Sequence, residues 1–151
     1  MPNSLFAAYP DTDRYGMLKL TQEIIDDIVA HGEREAPLEA CGYLAAKDGI
    51  ICKSIAMKNV DASPVHYSMD PKEQFGVARS CREEGYAIRA VYHTHPETEA
   101  YPSSEDIRLA YDPGLSYVIV SLADSQPAVH SYIIKKDKVF QEQIQIIGAG
   151  K

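Results

Sequence analysis

The chain has 151 residues, 45% of them hydrophobic and 25% charged, with a formal net charge of -7 at pH 7. That length and composition predict one soluble domain over 1–151 with a real hydrophobic core, and no apolar run approaches the length of a membrane span. The acidic balance argues against nonspecific nucleic-acid binding, which needs clustered Lys and Arg to neutralise phosphate.

Residues 1–17 read as an irregular lead-in that carries neither the basic start nor the apolar stretch of a secretory signal, so a cytoplasmic location is the default. From Thr21, the spacing of Ile24, Ile25, Ile28 and Val29 predicts a helix that stops before Pro37. Cys41 to Ala46 and Ile50 to Met57 read as two strands joined by Lys47-Asp48-Gly49, a hairpin signal. Lys58 to Met69 reads as irregular, with Ser63 to Tyr67 either bordering a substrate groove or forming a plain loop. Asp70-Pro71 opens a second helix that ends near Gly85, and Ile88 to Thr94 is a strand. A short helix follows from Ser104 to about Tyr111. Leu115 to Leu122, Ala128 to Ile134 and Lys138 to Ile146 read as three more strands, and 147–151 as a frayed tail. The pattern predicts an α/β fold, a mixed sheet with helices packed on it.

The segment His93-Thr94-His95-Pro96, followed by Ser103 and Asp106, carries the chemistry. Residues two apart on a strand point to one face, so His93 and His95 present both imidazoles to one ion while Thr94 faces away. A catalytic zinc usually keeps three protein ligands and an open position for water, and Asp106 at the start of the next helix fits as the third. A serine caps that helix, and Ser104 capping while Ser103 faces the metal would satisfy both demands. Amide hydrolysis also needs a base that takes the water proton and passes it to the leaving amine. Glu39, an acidic residue among apolar neighbours in Pro37-Leu38-Glu39-Ala40-Cys41, offers a desolvated carboxylate for that task. The Ser103 hydroxyl is placed to donate to the oxyanion.

At Glu39, His93, His95, Pro96, Ser103 and Asp106 the chain resembles the JAMM metallopeptidases, the zinc-binding branch of the MPN-domain family. The family pattern is a glutamate upstream, then H-x-H-P, six residues and S-x-x-D, and no ligand is missing here. Thr94 stands where many members have serine. The resemblance covers nearly the whole chain and implies an MPN fold related to cytidine deaminases. It implies zinc held by His93, His95 and Asp106, Glu39 as general acid/base, and Ser103 supporting the oxyanion. It also implies cleavage of a peptide or isopeptide bond after the C-terminal Gly-Gly of a ubiquitin-like or sulfur-carrier protein of the ThiS, MoaD or CysO kind. Self-association as a homodimer is common among MPN domains.

The alternatives are specific. A noncatalytic MPN scaffold mediating protein-protein interaction would usually have lost a ligand or the glutamate. A zinc nucleoside deaminase would carry H-x-E and P-C-x-x-C, which are absent. Cys41, Cys52 and Cys81 lack C-x-x-C spacing and read as reduced thiols, Cys41 as a packing residue, not a nucleophile. His31, His66 and His130 lack ligand spacing and read as surface or hydrogen-bonded residues.

Overall fold

The computed structural model describes residues 17–148. Seven strands and three helices follow one another as β1 (Met17–Thr21), α1 (Gln22–Glu35), β2 (Cys41–Lys47), β3 (Ile50–Met57), α2 (Pro71–Glu83), β4 (Ala87–His95), α3 (Ser104–Arg108), β5 (Ser116–Ser121), β6 (Ala128–Lys135) and β7 (Lys138–Ile147). The mixed sheet is present, and its strands close into a ring in the order β1-β3-β2-β4-β5-β6-β7. β1 runs parallel to β7 and β4 parallel to β5, while β2 pairs antiparallel with both β3 and β4.

Helix and strand signals survive folding where they are local. Asp70 caps α2 by accepting the Lys72 N–H at 3.1 Å, with Pro71 in the first turn. The β2–β3 hairpin turns on Asp48 and Gly49, both with positive φ (53° and 79°), the signature of a two-residue turn that matches strand twist. β6 and β7 turn in the same manner on Lys136 and Asp137 (φ 52° and 67°), without a glycine.

Two expectations need correction. Met17–Thr21 is a strand where an irregular lead-in was expected at Met17, and its partner lies far along the chain: all five residues pair with Gln143 to Ile147 of β7. Ile147, expected in a frayed tail, likewise ends β7 opposite Thr21; the rest of the expected irregular ends, apart from Gly148, falls on 1–16 and 149–151, outside the described residues. The third helix ends at Arg108, short of Tyr111, because Leu109 already leaves helical geometry and Asp112 to Gly114 form a turn held by the Gly114 N–H on Asp112 Oδ1.

Both faces of the central strands are covered. Leu44 and Ala46 of β2, with Ala90 and Tyr92 of β4, pack under Ile24 and Ile28 of α1, whereas Tyr43, Ala45 and Val91 pack with Cys81 of α2. Burial on two sides explains why β2 and β4 read as nearly continuous apolar runs. Ile24 and Ile28, at 2% and 0% exposure, each contribute about 1.5–3 kcal/mol by leaving water. Close approach is enforced at Gly42, where an added Cβ would lie 2.3 Å from the Ile55 carbonyl and 2.5 Å from the Tyr92 ring.

Candidate metal and catalytic site

β4 delivers His93 and His95 to one face of its C-terminal end, as the strand period requires. Thr94 points to the opposite side, where its Oγ1 accepts the Ala40 N–H at 2.8 Å and its own N–H donates to the Ala40 carbonyl at 3.0 Å. α1 crosses so near that a Cβ at Gly32 would lie 2.8 Å from Thr94 Cγ2. Thr94 thus fixes the residue that follows Glu39, while its neighbours supply the imidazoles.

Asp106 comes from α3. Its Oδ2 lies 3.1 Å from His93 Nε2 and 3.2 Å from His95 Nε2, and the two Nε2 atoms are 3.1 Å apart. A tetrahedral zinc with ligands at 2.0–2.1 Å has ligand–ligand edges of about 3.3 Å. The three atoms therefore form a triangle of nearly the right size for one face of such a site, leaving the fourth position open. His95 Nδ1 meets the Glu99 carbonyl at 2.8 Å; a carbonyl only accepts, so Nδ1 carries a proton, and it is Nε2 that would offer its lone pair to a bound ion. Burial opposes ionisation of Asp106, but the hydrogen bonds from His93 and His95 and the Ser103 N–H hold its carboxyl well below the usual carboxylate range. Burial likewise opposes protonation of His95, and the hydrogen bonds to Asp106 and Glu99 outweigh it and raise the imidazole pKa.

The helix start differs in one detail from expectation. Ser103, not Ser104, is the cap: its Oγ accepts the Asp106 N–H at 3.0 Å, and Asp106 Oδ2 accepts the Ser103 N–H at 2.9 Å. The reciprocal pair is a capping box with Asp in the role of Glu, so the hydrogen bonds that begin α3 also orient the candidate ligand.

Glu39 is only 3% exposed, and its Oε1 has no hydrogen-bond partner among the described residues. Burial pushes its carboxyl up to about 8; His95 pulls it down, and Asp106 and Glu105 push it further up. A carboxyl so placed exchanges a proton near neutral pH, as a general acid/base must. Two of the three groups able to hold one ion, His95 and Asp106, thus act on the proton affinity of this desolvated carboxyl.

Tyr67 stacks on His93, ring centroids 4.7 Å apart at 28°. Its segment carried two open readings in the sequence, and no local pattern distinguishes an aromatic that will meet a histidine from the other side of the fold. Cys41 is fully buried with its thiol pushed up to about 12 by burial, which removes it as a nucleophile. The remaining histidines stand apart from the group: His31 Nδ1 meets the Tyr92 hydroxyl at 2.8 Å, His66 Nδ1 lies 3.1 Å from Asp61 Oδ2, and His130 lies beside Tyr132 and Gln141.

The family pattern described as prokaryotic homologs of the JAB domain matches residues 21–135. Among curated proteins, the chain is 35% identical over 134 residues to a CysO-cysteine peptidase of Mycobacterium tuberculosis, covering 87% of this chain and 92% of that one. It is 32% identical over 122 residues to a desampylase of Haloferax volcanii, covering 76% and 87%. Among solved structures, a protein from Desulfitobacterium hafniense superposes with a TM-score of 0.80 at 40% identity, covering 88% of this chain and 94% of the other. A JAB1/MPN domain protein from Archaeoglobus fulgidus, 16% identical, shares the fold with a TM-score of 0.57 over 85% and 98%.

Proposed function

Because the chain belongs to the family of prokaryotic JAB-domain proteins, we propose that it is a zinc-dependent peptidase that hydrolyses the bond after the C-terminal Gly-Gly of a ubiquitin-like or sulfur-carrier protein. The observation that carries this reading is the convergence of His93, His95 and Asp106 within 3.2 Å of one another beside the buried, unpartnered Oε1 of Glu39. The relatives named for cleaving CysO-cysteine and for desampylation support a carrier or ubiquitin-like partner.

Zinc held by His93, His95 and Asp106 would supply a water whose pKa falls toward ~7 and a Lewis acid for the scissile carbonyl. Glu39 takes the proton of the attacking water and returns it to the departing amine, a transfer suited to a buried carboxyl whose Oε1 has no other partner among the described residues. The Ser103 oxygen accepts the Asp106 N–H and keeps its own O–H for the developing oxyanion. A Gly-Gly tail presents backbone without side chains, so it fits a narrow approach to these groups. The strands that run from β1 to β7 as one ring support reading 1–151 as a single domain. The free thiols of Cys41, Cys52 and Cys81 fit a reducing cytoplasm. Among the described residues no helix is long and apolar enough to cross a membrane.

The direct test is the intact mass of a sulfur-carrier protein, extended by cysteine or a short peptide after Gly-Gly, incubated with the protein with and without a chelator. Loss of the extension only without chelator is expected; no loss by zinc-loaded protein on any such carrier would overturn the reading. Glu39→Ala should retain stoichiometric zinc and lose about 10²-fold or more in turnover. Asp106→Ala should instead lose the zinc itself, measured by metal analysis after gel filtration.

A further inference from the structure

The segment between β3 and α2, residues 58–70, holds little regular structure, yet one side chain within it reaches both halves of the site. Asn59 donates through Nδ2 to the Glu39 carbonyl at 3.0 Å and to the His66 carbonyl at 3.0 Å, with the Ser63 carbonyl at 3.5 Å. Its Oδ1 accepts from the Asp61 N–H at 3.1 Å and the Ser68 N–H at 3.2 Å. A carboxamide has two N–H donors and two acceptor lone pairs, and all are engaged. The placement of the bonds matters more than their number. The His66 carbonyl and the Ser68 N–H belong to the two peptide groups that flank Tyr67, the ring stacked on His93. The Glu39 carbonyl belongs to the residue carrying the unpartnered carboxyl, and the Glu39 N–H donates in turn to Ser63 of the same loop at 2.9 Å.

We propose that Asn59 is a positioning residue of the active site, a single carboxamide that locks the backbone on both sides of Tyr67 and the backbone of Glu39 into one unit, so that ring and carboxyl keep fixed places relative to His93. The inference rests on the proposed peptidase reading for its effect on turnover, but its structural content stands apart from it. Aspartate has the same shape and keeps the acceptor, but turns a carboxylate oxygen toward the Glu39 and His66 carbonyls in place of two donors. Glutamine keeps the chemistry and is too long by one methylene. A residue that served only to fill the loop would tolerate either change at the site.

The test compares zinc-loaded wild type with Asn59→Asp and with Tyr67→Leu, which defines how far the stacked ring displaces the ring-proton NMR signals of His93. Asn59→Asp should move the His93 signals in the same direction as Tyr67→Leu and leave those of His31, buried against Tyr92, in place. On an extended carrier it should lower kcat at least tenfold with KM within twofold. Unmoved His93 signals, or moved signals with kcat within twofold of wild type, would overturn the proposal. If wild type cleaves no carrier, the peptidase reading fails and the NMR comparison alone decides the role of Asn59. Should Asn59→Asp not fold, Asn59→Ser is read by the same measurements.

Discussion

At the scale of single residues, Glu39 works against the fold that holds it. Its ordinary carboxyl pKa of 4.5 rises to about 8 in the folded chain, chiefly through burial. Below 4.5 the group is protonated in both folded and unfolded states and costs nothing. As pH climbs above 4.5 the unfolded chain releases its proton first, so the metal-free protein loses stability steadily until the folded carboxyl ionises near 8. Glu39→Gln removes that loss: urea unfolding after chelation should show the variant gaining on wild type between pH 5 and pH 8 by on the order of a few kcal/mol. A constant difference across that range would mean that Glu39 titrates as a solvated group. The grouping of His93, His95 and Asp106 was legible in the sequence because two local features produce it: a strand period brings the histidines together, and a helix start aims the aspartate. Glu39 was marked only by its apolar neighbours and the family pattern, since the fold brings it to the group from another element. Tyr67 and Asn59 were not legible, because their partners His93 and Glu39 lie on other elements, and neither residue type announces such a partner. The choice between Ser103 and Ser104 as cap depended on the backbone angle of one residue, which adjacent serines do not reveal.

At the scale of elements, β4 and β2 are the precise parts. Cys41 of β2 pairs with His93 of β4, so the register of this strand pair sets where the imidazoles stand relative to Glu39, two residues before Cys41. Gly42 guards that register. Its missing side chain admits the Ile55 carbonyl of β3 and the Tyr92 ring of β4, and backbone cannot swing aside as a flexible side chain does. Gly42→Ala should therefore destabilise the protein by about 1–3 kcal/mol or more, read by chemical denaturation, and blunt metal binding through the displaced β4. Wild-type stability in that variant would show that β2 and β3 separate freely. Strand and helix identities were readable along the chain because each buried face repeats at its own period. β1 escaped because five residues with two buried leucines, Leu18 and Leu20, give too short a pattern, and the strand that completes it, β7, pairs from more than a hundred positions away.

At the scale of the molecule, the ring is tied from within by charge as well as by ladder hydrogen bonds. Arg89 of β4 donates to Ser116 Oγ of β5 at 3.1 Å; Ser116 and Ser131 of β6 donate to Glu142 Oε1 of β7 at 2.7 and 2.8 Å. Arg89 Nη2 and Glu142 Oε2 face each other at 3.9 Å, and both residues are at most 4% exposed. Removing one charge strands the other in the interior, so Arg89→Met should cost about 3–5 kcal/mol in thermal or chemical unfolding. Arg89→Met combined with Glu142→Leu should recover much of it, and a double variant as unstable as the single would refute the pairing. β1 and β7 have a further bearing on how the ring is made. Chains emerge from the ribosome in order, and β1 meets β3 at a single residue pair, Leu20 with Ile51, whereas its long ladder is with β7. During translation the first strand of the ring is held by one pairing while every strand up to β6 is already made. A message broken before the codons of β7 would release a nascent chain whose β1 and β6 edges lack their ladder partner, the kind of open strand edge that chaperones and proteases act upon.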